Sequence, residues 1–205
     1  MINLPKKLEK IVYICGKTST GKSTLSNLIA EKYSYEVIEL DEVIYTLDAR
    51  PGINPFIETY IERREMHLIH EFIDKVKKII DEALKNNKGV VIEGAIANLT
   101  TFNELFSRFL NDLTFIYLHP VNLSEYTRRL KQRFDSSAPT NRNGLPGKFW
   151  AKFSDSDLSK YYKDGVATDA INQSINSYAI ESMEESKRRL EMFQLQFPNV
   201  HVIEI

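Results

Sequence analysis

Apolar residues along the chain follow two patterns, short compact runs and longer stretches with helical spacing. In the longer stretches, apolar side chains recur at every third or fourth position, which predicts amphipathic helices over residues 61–85 and 169–196. The compact runs are typical of buried strands. Strands are predicted at residues 11–15, 89–93, 113–118 and 200–205, and at residues 35–40, where apolar and polar residues alternate with period two. Strands that alternate with helices favour an α/β fold in which helices cover both faces of a parallel sheet.

One stretch of the chain follows neither pattern. Residues 135–165 are too long for a plain connection between two elements, which suggests a lid over a binding site. A chain of 205 residues suits one domain and can bury a sizeable core. We therefore expect a single domain over residues 1–205, with a lid insertion at approximately 126–165.

Composition and charge exclude several classes of protein. The formal net charge is −1, so a general electrostatic attraction to nucleic acid or to an anionic membrane is not expected. The single cysteine, Cys15, excludes a disulfide framework and a cysteine-rich metal site. The N-terminus lacks the apolar core of a signal peptide and no apolar run is long enough to span a bilayer, so we expect a cytoplasmic protein. The sequence leaves the oligomeric state open, and a homodimer is possible.

The segment between the first apolar run and the next helical pattern matches the Walker A motif, G-x-x-x-x-G-K-[ST]. It reads Gly16-Lys17-Thr18-Ser19-Thr20-Gly21-Lys22-Ser23. Backbone N–H groups of this motif wrap nucleotide phosphates, so we expect all eight residues, called here the phosphate loop, to contact a nucleotide. Lys22 is expected to reach the β- and γ-phosphates, and Ser23 is expected to bind Mg²⁺. Thr24 contacts an inner phosphate or lies on the helix surface, and Lys17 could instead be solvated.

The strand, the phosphate loop and the helix that follows resemble those of the P-loop small-molecule kinases. This group includes nucleoside and nucleotide kinases, shikimate-type kinases and chloramphenicol phosphotransferase-like enzymes. A Ras-like GTPase is disfavoured because the chain has no N-K-x-D or D-x-x-G motif. Ser19 stands where the family often has glycine, and Ser19-Thr20 is more similar to the phosphotransferase variants. The resemblance covers nearly the whole chain, and it implies a three-layer α/β P-loop NTPase fold, a five-stranded parallel sheet of order 2-3-1-4-5, ATP and Mg²⁺.

Two acidic residues lie at the carboxyl ends of predicted strands, where such sheets face the ligand crevice. Asp41 follows the second strand, and it resembles an aspartate with which several of these kinases help remove a proton from the acceptor hydroxyl. Asp41 could instead cap the next helix. Glu93 ends the third strand and resembles the Walker B position, which orients Mg²⁺ through water. Glu93 could also contact the acceptor or pair with a lysine.

Two pairs of arginines are candidates for binding anions. Arg63 and Arg64 open the helix predicted over residues 61–85, where they could hold an acceptor or pair with neighbouring glutamates. Arg129 and Arg133 are four residues apart and therefore share a helix face. Their segment resembles the basic helical lid of nucleoside and nucleotide kinases, which closes over the phosphates and stabilises transition-state charge. The alternative for this segment is a solvated helix face.

These patterns together predict a kinase that uses ATP and Mg²⁺ to phosphorylate a small molecule. Lys22, Asp41, Arg129 and Arg133 are the expected catalytic residues, and a nucleoside or a nucleotide is the leading acceptor. The nearest alternative acceptors are an antibiotic, another metabolite or a nucleotide-sugar, as in zeta-toxin-like kinases. A second class remains open, a nucleotide-binding regulatory switch without a small-molecule acceptor. Nucleic acid and membranes are not expected partners.

Overall fold

The computed structural model describes residues 4–48, 60, 63–96, 98–137, 162–163, 166–167 and 169–205. Its main feature is a five-stranded parallel sheet, whose strands are β1 (Ile11–Gly16), β2 (Glu36–Glu39), β3 (Val90–Glu93), β4 (Leu113–His119) and β7 (His201–Glu204). A separate antiparallel pair is formed by β5 (Tyr162–Lys163) and β6 (Val166–Ala167). The strand order in the main sheet is β2-β3-β1-β4-β7. This order confirms the predicted 2-3-1-4-5 arrangement when the strands of the main sheet are counted alone.

Six α-helices lie in the described part of the chain. They are α1 (Lys22–Tyr33), α2 (Leu40–Leu47), α3 (Met66–Lys85), α4 (Leu99–Phe106), α5 (Leu123–Ser136) and α6 (Asp169–Gln196). A 3₁₀ helix, Ser107–Asp112, joins α4 to β4. Within the described residues, no helix has the length and apolarity that a membrane span requires.

Side chains that alternate along β1 build two separate cores. Tyr13 packs on one face of the sheet with aromatic residues of α4, β4 and α6, and its ring lies 4.9 Å from that of Phe106 and 5.2 Å from that of Phe115. Ile14 packs on the other face, with Leu25 and other residues of α1. Because both faces are covered, β1 is buried along its whole length. The phosphate loop therefore starts from a rigid central strand.

Three predicted boundaries differ from the structure. The helix predicted from residue 61 begins at Met66, because Arg64 adopts a left-handed backbone with φ of 58° that no α-helix accommodates. Strand β2 ends at Glu39, since the buried Leu40 already belongs to α2. The segment predicted to be irregular from residue 135 starts later, because α5 continues to Ser136. Residues 138–161 of the predicted lid lie outside the described residues.

Candidate active site

The phosphate loop turns sharply at its two glycines. A side chain at Gly16 would place a Cβ 2.8 Å from the carbonyl oxygen of Leu118, so only glycine fits beside β4. Gly21 has φ of 92°, in the left-handed region that favours glycine, and it occupies the N-cap position of α1. No side chain caps α1, and its first turn carries no acidic residue. The first N–H groups of α1 and the positive end of its dipole are therefore available to an anion.

Hydrogen bonds inside the loop converge on the carbonyl oxygen of Lys17. Thr20 Oγ1 donates to this oxygen at 2.7 Å and Lys22 Nζ donates to it at 3.1 Å. These contacts close the loop on itself and hold the Lys22 ammonium group at the loop. An incoming phosphate would compete with a neutral carbonyl for Lys22, and charge-assisted hydrogen bonds are roughly twice as strong as neutral ones.

Ser19 carries an unusual combination of features. Its φ of 64° lies in the left-handed region, which costs about 1–3 kcal/mol for a residue other than glycine. Its hydroxyl oxygen is buried and has no hydrogen-bond partner in the structure. An unsatisfied buried hydroxyl costs a further 1–3 kcal/mol or so. Ser19 lines the cleft above the loop, so a phosphate oxygen placed there would satisfy its hydroxyl.

The two residues predicted to serve Mg²⁺ lie in direct contact. Ser23 Oγ donates to Glu93 Oε1 at 2.7 Å, and Glu93 is 8% exposed. Tyr13 holds the backbone that follows β3 in place. Its Oη donates to the carbonyl of Gly94 and accepts from Ile96 N, both at 3.1 Å. A hydroxyl and a carboxylate are hard oxygen donors of the kind that Mg²⁺ prefers. This donor set fits a magnesium ion, and the structure pairs Glu93 with the loop serine rather than with a lysine.

Further carboxylates make this edge of the sheet negative. Glu39 of β2 lies opposite Glu93 in the strand register. Burial raises the pKa of Glu39, and the charges of Glu93, Glu42 and Asp41 raise it further. Mutual repulsion of this kind is relieved by a bound cation. Asp41 itself lies in the first turn of α2 and is exposed. Its alternative role as a helix cap is wrong, because Glu39 occupies the N-cap position of α2.

The two predicted lid arginines lie on the same cleft as the phosphate loop. Arg129 and Arg133 line a cleft of about 360 Å³ together with residues of the loop and of α1: Ser19, Gly21, Lys22, Ser23 and Thr24. Helix α5 presents this face because Tyr126, Leu130 and Phe134 are buried against α6 on its other side. The Asn122 side chain caps α5 by accepting from Glu125 N at 3.0 Å, which contributes about 1 kcal/mol.

Arg129 is oriented by a carboxylate of its own helix. Its Nε donates to Glu125 Oε1 at 2.8 Å, and Arg128 donates to both oxygens of the same carboxylate. Hydrogen bonds from Arg128 and Arg129 lower the pKa of Glu125 to about 2. Arg128 is the more exposed of the two arginines, at 62% against 35%.

Two sequence expectations turn out differently. Arg63 and Arg64 do not open the helix but lie exposed in a turn before α3, and their contact with an acceptor stays a prediction. The solvated alternative for Lys17 is wrong, because its side chain is only 12% exposed and its ammonium group is bonded to Glu185 of α6. Glu185 had no sequence signal, since 168 residues separate it from Lys17.

The helix α5 also holds the phosphate loop directly, a contact that the sequence patterns did not indicate. Tyr126 Oη donates to the carbonyl oxygen of Thr18 at 2.9 Å. Burial raises the pKa of Tyr126, so the phenol remains protonated and remains a donor at neutral pH. A tyrosine at an apolar position of an amphipathic helix predicts only a core residue, so this role becomes visible only in three dimensions.

Replacing Glu93 by glutamine tests the proposed magnesium contact. The amide can still accept from Ser23 Oγ, but it loses the negative charge that attracts a divalent cation. We expect the apparent magnesium affinity of the nucleotide complex to fall about 10–100-fold, as when other groups that orient a bound metal are removed. Calorimetry of ATP binding across a magnesium titration measures this. Glu31→Gln, which removes an exposed carboxylate late in α1 and makes the same change in net charge, is the matched control. Equal losses in both variants would contradict a specific role for Glu93.

The fold and the cleft define a P-loop small-molecule kinase. Residues 18–190 match the family model of shikimate kinase, and the chain belongs to the shikimate kinase family. It is 27% identical to adenylate kinase isoenzyme 5 of Bos taurus over 65% of this chain. It is 25% identical to the shikimate kinase of Caldicellulosiruptor saccharolyticus over 66% of this chain and 71% of that protein.

Several of these relatives are matched over only part of their own length. The chain spans 24% of the bovine adenylate kinase isoenzyme and 64% of a shikimate kinase from Chlorobium phaeobacteroides. Among solved structures, the tRNA isopentenylpyrophosphate transferase of Bacillus halodurans has a TM-score of 0.51 at 15% identity, covering 96% of this chain and 90% of that chain. A likeness at this level of identity concerns the fold alone. The comparisons therefore establish that the chain is a member of the shikimate kinase family.

Proposed function

We propose that this chain transfers the γ-phosphoryl group of ATP to a small-molecule acceptor in a reaction that depends on Mg²⁺. The observation that carries the proposal is the hydrogen bond between Ser23 and Glu93, beside Lys22 and on the cleft that Arg129 and Arg133 line. A nucleotide's triphosphate needs positive charge on several sides, and this cleft supplies it from two elements of the fold. The chain acts as a single domain over residues 1–205, with a lid over residues 126–165.

Each candidate residue has a role in this reaction. The phosphate loop and the first turn of α1 hold the phosphates, and Lys22 leaves the Lys17 carbonyl to meet the β- and γ-phosphate oxygens. Ser23 and Glu93 would hold Mg²⁺, which when bound neutralises charge on the phosphate oxygens. Arg129 and Arg133 stabilise the charge that develops on the transferred group. Asp41 accepts the proton of the acceptor hydroxyl.

The acceptor is a small hydroxylated molecule, with a nucleoside or nucleotide first and shikimate as the second candidate. The nucleotide is supported by the segment shared with adenylate kinase isoenzyme 5. Shikimate is supported by the family model and by the shikimate kinases among the relatives. The remaining candidate acceptors are an antibiotic, another metabolite and a nucleotide-sugar. Arg63 and Arg64 contribute to the acceptor side if the turn before α3 approaches the cleft in the complex.

An acceptor screen tests the proposal. ADP formation is measured with ATP and Mg²⁺ in the presence of shikimate, nucleosides, nucleoside monophosphates and representative aminoglycoside and sugar acceptors. We expect at least one class to stimulate ADP formation and to become phosphorylated. Slow ADP formation that no acceptor changes would favour the regulatory switch instead.

Asp41→Asn separates an acceptor kinase from a nucleotide-binding switch. The substitution removes the base but keeps the size of the side chain, so acceptor phosphorylation should fall about 10²–10⁴-fold, the usual contribution of general base catalysis. ATP affinity should stay within about twofold, because Asp41 lies in the first turn of α2 and does not line the phosphate-loop cleft. Glu42→Gln, an exposed neighbour in the same helical turn, is the matched control. Unchanged turnover in Asp41→Asn would remove the proposed role.

A further inference from the structure

The phosphate loop is fastened to α6 by a charged cluster of three residues. Lys17 Nζ donates to Glu185 Oε2, and Arg189 Nη2 donates to Glu185 Oε1. The exposed fractions of the Lys17, Glu185 and Arg189 side chains are 12%, 38% and 20%. One carboxylate therefore serves two cations, and each of its oxygens is occupied.

This cluster differs from an ordinary surface ion pair. Burial lowers the pKa of Lys17, while the hydrogen bond to Glu185 raises it. Burial raises the pKa of Glu185, but the hydrogen bond and the charge of Lys17, together with Arg189, bring it below its ordinary value. Removing Glu185 would leave the largely buried Lys17 and Arg189 side chains next to each other without the carboxylate that they share.

The backbone carbonyl of Lys17 binds the ammonium group of Lys22. The carbonyl oxygen of Lys17 accepts from Lys22 Nζ and from Thr20 Oγ1. Lys17 lies beside Gly16, whose backbone has φ of 155°, and Gly21 follows four residues later. Glycines at both ends give the loop conformational freedom, so it keeps one shape only when a residue between them is held in place. The side chain of Lys17 supplies such a hold from α6.

The neighbouring residue of the loop is held from the same layer. Tyr126 of α5 donates to the carbonyl of Thr18. Helices α5 and α6 share an apolar cluster of their own, formed by Tyr126, Leu130, Phe134, Ile171, Ile175 and Ala179. Two adjacent loop residues are thus tied to one packed pair of helices, and α5 of that pair also carries the cleft arginines.

We infer that Glu185 is a positioning residue for nucleotide binding, which acts by holding Lys17 and so keeps the phosphate loop in the shape that receives a triphosphate. The inference rests on the proposed function, since it assumes that the loop binds a nucleotide. Its physical basis is preorganisation: a loop ordered before binding loses less conformational entropy when the ligand arrives. Glu185 contacts no phosphate in this scheme and acts through Lys17 alone.

Glu185→Gln tests the inference because losing the Lys17 anchor and losing a negative charge predict opposite changes in ATP affinity. Removing a carboxylate near a phosphate site makes the site more positive, which by itself would tighten nucleotide binding. Loss of the Lys17 anchor weakens binding instead. We expect the dissociation constant and the KM for magnesium-complexed ATP to rise about tenfold with little change in kcat, by analogy with groups that orient bound ligands. Unchanged or tighter binding would overturn the inference.

A double-mutant cycle shows whether Glu185 acts through Lys17. Lys17→Met breaks the contact between Lys17 and Glu185 but leaves Glu185 paired with Arg189. This variant can therefore be measured even if Glu185→Gln does not fold, and it should also weaken ATP binding. In the Lys17→Met background, Glu185→Gln should change ATP affinity by less than about twofold. A loss in the double variant equal to the product of the two single losses would overturn the inference.

Glu184→Gln provides the matched control for charge. Glu184 is the exposed neighbour of Glu185 on α6, and its replacement makes the same change in net charge. Isothermal calorimetry with magnesium-complexed ATP measures all four variants beside the unaltered chain. If the unaltered chain binds magnesium-complexed ATP and Glu185→Gln binds it with the same affinity, the positioning role alone is overturned. No heat from the folded unaltered chain would overturn the proposed function and the positioning role together.

Discussion

Replacing Lys22 by methionine is expected to lower kcat for acceptor phosphorylation by about 10²–10³-fold, the usual loss when one preorganised group that meets transition-state charge is removed. Methionine keeps most of the length of the side chain but carries no charge. In the structure the Lys22 ammonium group rests on the Lys17 carbonyl at 3.1 Å. The phosphate loop can therefore keep its backbone shape in the variant, because Thr20 still bonds to the same carbonyl.

Steady-state kinetics and calorimetry together measure this effect. The dissociation constant for magnesium-complexed ATP should rise less than kcat falls, because the backbone N–H groups of the loop and α1 remain. Lys32→Met is the matched control, since Lys32 is exposed in the last turn of the same helix. Acceptor phosphorylation at an undiminished rate in Lys22→Met would contradict the assignment of the phosphate loop as the catalytic site.

Removing both cleft arginines of α5 is the second change with a large expected effect. The double variant Arg129→Met, Arg133→Met should lose about 10³-fold or more in kcat, the range seen when an arginine that contacts the transferred phosphoryl group is lost. The loss has a geometric reason, since both side chains line the cleft above Lys22 and Ser23. The apolar contacts of Tyr126, Leu130 and Phe134 with α6 lie on the opposite face, so the fold should persist.

A control on the same helix, which removes a positive charge outside the cleft, makes the test specific. Lys131 is exposed and lies outside the phosphate-loop cleft, so Lys131→Met should keep kcat within about twofold. Far-ultraviolet circular dichroism and the melting temperature check that α5 remains folded in each variant. If the double variant kept its kcat, these arginines would be part of a solvated helix face, which is the alternative for this segment.

Local patterns in the sequence were sufficient for the framework of the site. The Walker A motif placed Gly16, Gly21, Lys22 and Ser23 where a strand passes into a helix. In the structure Gly16 ends β1, Gly21 is the N-cap of α1, and Lys22 and Ser23 begin that helix. The spacing of Arg129 and Arg133 predicted a shared face, and that face lines the cleft. Such predictions succeed because steric limits, backbone hydrogen bonding and helix periodicity act over a few residues.

Predictions about element ends were less successful. The apolar pattern of α3 predicted a start near residue 61, but the left-handed backbone of Arg64 delays the helix to Met66. Asp41 was expected directly after a strand and lies instead in the first turn of α2. A boundary depends on a difference of roughly a kcal/mol between competing backbone states, which tertiary contacts readily override.

Short-range periodicity and one compact motif were enough to predict a parallel α/β sheet with a phosphate loop at the end of its first strand. The contacts of Ser23 with Glu93, of Tyr126 with Thr18 and of Lys17 with Glu185 could be seen only in the folded chain. These partners are between 70 and 168 residues apart along the chain. Their contacts arise from how α5, α6 and β3 pack around β1, and no local pattern encodes that packing.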